Sequence, residues 1–510
     1  MKSPAQTRQH TLPGLDPVPA RIAASADPLL PRARPGPDTL WLALHFPHLA
    51  LDLIAREGMA PVPLVVCNTP RGRPEVHAAS RAARRAGIRP GMPLGAALGL
   101  CADLRVRQRD AAAEHAALET LAAWGLQYTD HVVVEDGHVL LLEVGRSLRL
   151  FGGLEHLRRR ILDDLAALGH HARAGLAVTP LGARLLARLG ITAPARDTDA
   201  LTALIRELPV EALEWPAATV QRLRGMGVTR LGALWRLPRD GLARRLGAWL
   251  PVHLDRLTGR RPDPRPRFAP PPRFESRLWL PAEMADRSML RLPLHRLLRE
   301  LAGVLRGRGA AVQSLVLQLL HARHPATALT LGLAAPGRDP DHLLGLCMER
   351  LSRQVPAAAV TGMVLRADIF LPLPHRDTAL LPDAGTDTDA WQALLDRLRA
   401  RLGRAAVWSL AVCDDHRPER AWRRTDPADS APGGVSPPQY GPRPLWLLEH
   451  PLPCPPSLRR VHGPERIETG WWDGAGERRD YYIAEDRYGV RWWLYREHGT
   501  DSVCLCGVFG

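Results

Sequence analysis

Residues 39–52 read TLWLALHFPHLALD, the first stretch of the chain with a folded pattern. Leu40, Trp41, Leu42, Ala43 and Leu44 form a near-continuous apolar run that Pro47 ends. The run is too short for a helix of ordinary length, and it does not alternate. An unbroken apolar run of this length is what a central strand buried on both faces requires. Later stretches return to it: 132–144 reads as further strands and 76–93 as a helix with a basic face. With helices over Ala111–Trp124 and Leu154–Leu168, strands and helices alternate from Leu40 to about Gly175, which predicts a mixed α+β sheet domain.

Composition narrows the partners. The chain has 510 residues, with 68 basic and 53 acidic, for a net charge of +15. An excess of that size favours a polyanion, nucleic acid or an acidic membrane surface. A GC-rich coding bias produces the same excess, because arginine supplies nearly all of it and Lys2 is the lone lysine. No apolar run reaches the ~18 residues of a membrane span, and no apolar segment follows Lys2 as in a secretory signal. The seven cysteines contain no CxxC pair. They predict a reducing, cytoplasmic setting rather than a disulfide framework or zinc ribbon. Cys504 and Cys506 share a strand face and read as core.

The rest divides by pattern. Residues 1–38 are Pro-, Ala- and Arg-rich without periodicity and read as a disordered leader. Residues 39–175 are the sheet domain, and 176–260 are helical and punctuated by glycine. Within the helical part, 220–231 (VQRLRGMGVTRL) reads as a helix-hairpin-helix: one helix ends at Gly225, Gly-Met-Gly turns, and Thr229 caps the next. Gly225 and Gly227 would let backbone N–H groups reach a phosphate, with Arg222, Arg224 and Arg230 around them. An ordinary helical corner has the same pattern.

Residues 261–273 form a proline-rich linker, and 274–415 read strand-helix-strand-strand-helix-strand, the split βαβ order. An amphipathic helix covers Trp391–Leu402. Residues 416–444 read as a second linker, and 445–510 as a small aromatic-rich module with a hairpin through Tyr488-Gly489. Its aromatics are mostly core. Trp471, Trp472, Tyr481, Tyr482, Trp492 and Trp493 are candidates for a partner surface, where Trp and Tyr dominate binding.

These pieces together resemble the Y-family (translesion) DNA polymerases, and among them a non-catalytic branch. The resemblance covers about residues 39–510. It implies an α+β multidomain architecture of palm and fingers, helical thumb, βαββαβ little finger and C-terminal module. In active members the first strand carries an Asp, then a second Asp two residues on, then paired aromatics. Here those positions fall at Leu42, Leu44 and Phe46-Pro47.

The second motif lies at Ser80-Arg81-Ala82-Ala83-Arg84, followed by Gly87 to Met92. It keeps Arg84, which contacts triphosphate by resemblance, and loses the Tyr. The third, Asp-Glu-x-x-x-Asp, falls on His138 to Glu143, and Leu148 to Gly153 matches the loop that follows. The metal-ligand positions are therefore Leu42, His138 and Val139, and the resemblance implies no metal, no cofactor and no catalysis. Asp52, Glu135, Asp136 and Glu143 are the neighbouring acids that would have to rebuild such a site. Asp415 to Trp422 (DHRPERAW) and the Gly470-Trp471-Trp472-Asp473 tail are typical of the non-catalytic branch.

By resemblance, the partners are primer-template DNA bound without sequence preference, an error-prone replicative-type DNA polymerase and a RecA-like accessory protein. The setting implied is the nucleoid. DNA contact is expected from Arg84, Arg85, Arg222, Arg224, Gly225, Gly227, Thr229 and Arg230. A degenerate sliding-clamp peptide is expected at 377–381, with Leu380 and Leu381 as its apolar pair. Gln392 to Leu395 is a rival that reads better as helix packing.

Overall fold

A computed structural model describes residues 39–55, 63–354, 356–373, 385–427, 441–472, 474 and 476–509. Strand β1 (Trp41–His45) lies inside a four-stranded antiparallel sheet. It pairs with β6 (Val139–Glu143) on one side and β7 (Arg173–Ala177) on the other, and β5 (Val132–Glu135) pairs with β6. Leu42 and Leu44 face helices α4 (Ala111–Gly125) and α5 (Leu154–Ala167), against Leu121, Trp124, Leu157 and Ile161. Trp41 and Ala43 face the other way with Val139 and Leu141, onto α6 (Pro180–Leu189). Both faces are covered, which is why the run does not alternate.

Between β1 and α4 lie α1 (Leu49–Ala55), β2 (Leu64–Asn68), β3 (Glu75–Ala79), α2 (Arg81–Arg85), α3 (Leu94–Leu100) and β4 (Arg105–Gln108). β2 pairs antiparallel with β3 and parallel with β4. The expected helix over 76–93 is corrected here. Glu75–Ala79 is a strand, with Val76, Ala78 and Ala79 buried, and only Arg81–Arg85 is helical. Ser80 caps that turn by accepting from the Ala83 N–H at 3.3 Å, and Gly87 at φ +90° ends it.

Past α6, the helices are α7 (Thr198–Ile205), α8 (Ala217–Gly225), α9 (Leu231–Leu234), α10 (Arg239–Leu246) and α11 (Trp249–Leu257). They build one core with the Trp41 face of the first sheet. The proline-rich stretch then runs along β5, where the Phe268 N–H donates to the Val132 carbonyl at 2.7 Å.

The third sheet comprises β8 (Phe274–Met284), β9 (Ala310–His321), β10 (Thr327–Gly337), β11 (Val360–Ala367) and the short β12 (Leu371–Pro372), in the order β10-β9-β11-β8 with β12 on β9. Helices α12 (Arg291–Gly307) and α13 (Pro340–Arg353) supply the two helices of the split βαβ order. α12 also packs on α4, so Leu294, Leu297 and Leu301 join the core that holds Leu42. Gly303 and Gly307, one turn apart, make that approach. A Cβ on Gly303 would meet Trp124 at 2.1 Å, and one on Gly307 would meet the Gln127 backbone nitrogen at 2.9 Å.

Helix α14 (Gly385–Leu402) docks on the third sheet through the buried Asp396, which accepts from the Ala334 N–H and from His342 Nε2. A hairpin of β13 (Ser409–Val412) and β14 (Trp422–Thr425) follows. The second linker reading is thus corrected at Trp422–Thr425, which is strand. The last sheet orders β15 (Trp446–Pro453), β19 (Val503–Val508), β18 (Arg491–Glu497), β17 (Glu477–Glu485) and β16 (Arg459–Thr469). The DHRPERAW segment rests on it: Arg417 is buried against Asp415, and Glu419 pairs with Arg479 at 2.8 Å. Among the described residues no helix is long and apolar enough to cross a membrane.

Candidate nucleic-acid interface

At the end of the first sheet, His138 sits in the β5–β6 turn at φ +58° and its carbonyl accepts from the Phe46 N–H at 2.9 Å. Val139 lies directly opposite His45. Leu42 packs on the opposite sheet face from Val139. The Leu42 and Val139 side chains thus enter different cores, Leu42 the one with α4 and α5 and Val139 the one with α6. The β1 positions on Val139's face are Ala43 and His45. A strand apolar on both sides carries no periodicity from which its facing is legible.

Every nearby acid but one is engaged. Asp52 accepts from the His171 N–H at 3.0 Å and from its Nδ1 at 3.3 Å, and burial pushes its pKa up. Glu135 pairs with Arg184 at 2.9 Å and also with Arg265. Glu143 accepts from the Leu40 and Gly145 N–H groups at 3.2 and 3.0 Å. Asp136 stands exposed in the turn. Among the described residues no group of three or more His, Cys, Asp or Glu is placed to hold a metal ion.

The acid that the sequence did not reveal is Glu114. It is buried on α4 and bonded to His138 Nε2 at 2.8 Å and to Arg109 at 2.7 and 2.9 Å. Its partner His138 is 24 residues downstream, so no local pattern marks it. Burial pushes its carboxyl up, but the bonds from His138 and Arg109 outweigh burial and hold it at about 2. His45 is held down to about 4, first by burial and then by Arg188, Arg173, His138 and Arg184. It is therefore neutral at pH 7.

Glu114 makes the acid stability of the fold testable. Its folded pKa lies below the ordinary 4.5, so its contribution is complete above pH 4.5 and is lost as pH falls toward about 2. Glu114→Gln removes that contribution. Wild type should exceed the variant by about 2–3 kcal/mol at neutral pH, with the gap closing between pH ~4.5 and ~2. Urea unfolding of both proteins across that range is the measurement. A gap independent of pH would contradict the charged bonding.

On the basic side, Arg84 and Arg85 are exposed at the end of α2, and Arg222 is exposed on α8. Arg224 and Arg230 are also exposed, but each is paired with an acid: Arg224 with Glu211 at 2.5 Å, and Arg230 with Glu207. The turn differs from the expected phosphate cradle. Gly225 ends α8 and Gly227 takes φ +78°, as a tight turn requires. However, the N–H groups of Met226, Gly227 and Val228 donate back to carbonyls of residues 222–224.

Thr229 does not cap α9. Arg230 takes the cap position without a side-chain bond, and α9 is a single turn. The Leu231 and Gly232 N–H groups donate to the Leu208 and Arg206 carbonyls. Those five amides are spent inside the fold, and the exposed guanidinium groups stand around the turn. Arg244 and Arg245, exposed on α10, belong with them, Arg245 reaching Met226 Sδ at 3.8 Å. They lie past the hairpin motif, which is why the motif did not bring them in.

The aromatic candidates separate. Trp471 and Trp472 are 80% and 61% exposed and meet edge to face at 5.5 Å. Tyr481 and Trp493 stack at 4.4 Å inside one face of the last sheet. Tyr482 is buried in the other face, and Trp492 packs beside it while donating to Asp486 at 3.3 Å. Each face of this sheet holds a buried cluster, so Tyr481, Tyr482 and Trp493 are core and are corrected as partner contacts, while Trp492 is half-buried against the second cluster. Leu380 and Leu381 fall outside the described residues. In the rival peptide Leu395 is buried and Leu394 is exposed, which is ordinary helix packing.

The impB/mucB/samB family matches residues 48–188. Protein ImuB of Caulobacter vibrioides, found in two strains, is 32% identical over 449 residues, covering 81% of this chain and 97% of the relative. Among solved structures, a Dbh ternary complex is 15% identical with a TM-score of 0.38, covering 66% of this chain and 100% of that one. DinB from Sulfolobus solfataricus is 16% identical with a TM-score of 0.36, covering 66% of this chain and 99% of that one.

Proposed function

The chain belongs to the ImuB family of Y-family polymerase relatives, and from that premise we propose that it is a non-catalytic adaptor for damage-induced translesion synthesis. It holds primer-template or damaged DNA and recruits an error-prone polymerase. The observation that carries this reading is the end of the first sheet. Two-metal phosphoryl transfer needs carboxylates that converge on hard Mg²⁺ ions and clamp the attacking and leaving oxygens. The face that holds Val139 offers Ala43, His45 and Leu141. Apolar side chains there cannot ligate, and a neutral imidazole suits magnesium poorly. Asp52, Glu114, Glu135 and Glu143 are each occupied by a donor within the fold.

Binding rests on Arg84, Arg85, Arg222, Arg244 and Arg245 against phosphates, which carries no sequence preference. The family resemblance supplies the partners: an error-prone replicative-type polymerase and a RecA-like accessory protein, with Trp471 and Trp472 as the exposed anchors on the C-terminal side. A sliding-clamp contact through Leu380 and Leu381 belongs to the same reading.

The test is primer extension with magnesium, beside a duplex-binding titration on the same preparation. Binding without extension is the expected result. Extension that disappears in Asp52→Ala, Glu135→Ala, Asp136→Ala or Glu143→Ala would make the protein an active polymerase using displaced acids.

A further inference from the structure

The first sheet has two edges, β5 and β7, and the fold covers them differently. Along β5 the Phe268 N–H takes the Val132 carbonyl. Along β7 the cover is partial. Gly190, left-handed at φ +71°, ends α6 and turns the chain back. The returning segment meets the far half of β7, where the Ala195 N–H donates to the Leu176 carbonyl at 2.9 Å. Among the described residues no backbone group does the same beside Ala174.

The register shows which groups face that edge. On β1, the Leu40 carbonyl and the Phe46 N–H bond toward β6, at Val144 and His138. Backbone groups alternate sides along a strand, so Trp41, Ala43 and His45 bond toward β7, opposite Ala177, Gly175 and Arg173. The N–H and C=O of Ala174 therefore point outward, as those of Leu176 do. Ala174 is buried, and it lines a cleft of about 590 Å³ together with Ala172 and Arg173. Arg159 and Leu162 of α5 form one wall, and Gly190 and Thr192 the other. A backbone donor and acceptor facing a cleft match another strand, whose own groups alternate in the same way.

The charges choose the strand. Arg158 is held by Glu155 at 2.6 Å and by the Thr192 carbonyl at 3.0 Å. Arg159 and Arg173 are exposed, and among the described residues neither pairs with an acid. A second copy of this edge would bring like charges together, which disfavours self-pairing. Glu155 and Asp163 in the lining oppose phosphates, which disfavours nucleic acid. Ala174 faces the α5 core, so Arg173 lies on the α6 side beside Gly190.

We propose that this edge takes an extended segment of a partner protein, paired to the Ala174 backbone. Its acidic side chain lies against Arg173 on one face, and its apolar side chain lies against Leu162 on the other. This is a protein contact, separate from the DNA-binding reading above.

The test uses the full chain and a fluorescein-labelled peptide of alternating valine and aspartate, read by fluorescence anisotropy. Wild type should bind it, and hydrogen exchange at the Ala174 amide should slow. The same peptide with its backbone N-methylated keeps every charge but loses its ladder donors, and should bind about tenfold more weakly or worse. Arg173→Glu should weaken the acidic peptide by about tenfold and favour a valine–lysine peptide instead. Ala174→Pro removes the outward N–H and leaves Arg173 in place, so it should also weaken binding. Thermal melting of both variants controls for folding. An N-methylated peptide that binds as well as its parent overturns the strand pairing, and unchanged affinity in Arg173→Glu overturns the acidic partner. No binding of the acidic peptide up to about 1 mM overturns the site. So does slowing of Ala174 exchange by a single-stranded oligonucleotide but not by the peptide, since the edge would then be a phosphate surface.

Discussion

Gly307→Val should destabilise the protein by roughly 3 kcal/mol, the cost of forcing volume into a packed contact that cannot expand. The added Cβ alone would meet the Leu126 Cβ at 2.8 Å and the Gln127 backbone nitrogen at 2.9 Å, and backbone cannot rotate away as a side-chain tip does. Gly303, one turn earlier, is closed by Trp124 in the same way. The expected readout is a lower urea midpoint, with a separate early transition as α12 leaves α4. A control comes from Gly345 on α13, where a Cβ meets nothing within 4 Å. Gly345→Ala should be neutral, or stabilising by up to about 1 kcal/mol through backbone entropy. If Gly307→Val were as stable as Gly345→Ala, the shared core between the first and third sheets would be wrong.

Duplex affinity should fall roughly five-hundredfold between about 50 mM and about 200 mM salt, as five neutralised phosphates require. The slope should respond selectively to substitution. Arg222→Ala or Arg245→Ala should reduce it by about one unit each, because each removes a guanidinium without an acidic partner among the described residues. Arg224→Ala and Arg230→Ala should change it less, since Glu211 and Glu207 already neutralise those charges. Titrations by fluorescence anisotropy at several salt concentrations separate the cases. Affinity insensitive to salt would rule out phosphate-dominated binding. Equal effects from all four arginines would show that the ion pairs yield to DNA.

Much of the fold was legible because its signals are local. The unbroken apolar run over Leu40–Leu44 marked a strand covered on both faces. The alternation at Leu315, Leu317 and Leu319 marked one covered on a single face, and the order of elements after Phe274 followed. Glu75–Ala79 was misread because five residues of a buried strand, next to a basic helical turn, blend into one helical pattern. At the position that the resemblance gives to a metal ligand, Val139 was legible as a residue type, since valine cannot ligate wherever it points.

Whatever depends on facing or on distant partners was settled by the tertiary structure. Leu42 and Ala43 are equally apolar, and only the positions of α4 and α6 decide which of them shares a face with Val139. Glu114 looks like any helix acid until His138 arrives from 24 residues away. Arg222 and Arg224 look alike in sequence, yet one is exposed without an acidic partner among the described residues and the other holds Glu211. Tyr481 and Trp471 are both aromatics of one small module, and the buried cluster on one sheet face takes in the first and leaves the second in solvent. Residue type sets which chemistry is available. Burial and pairing set which of it reaches a ligand, because both are properties of neighbours that the chain brings together only by folding.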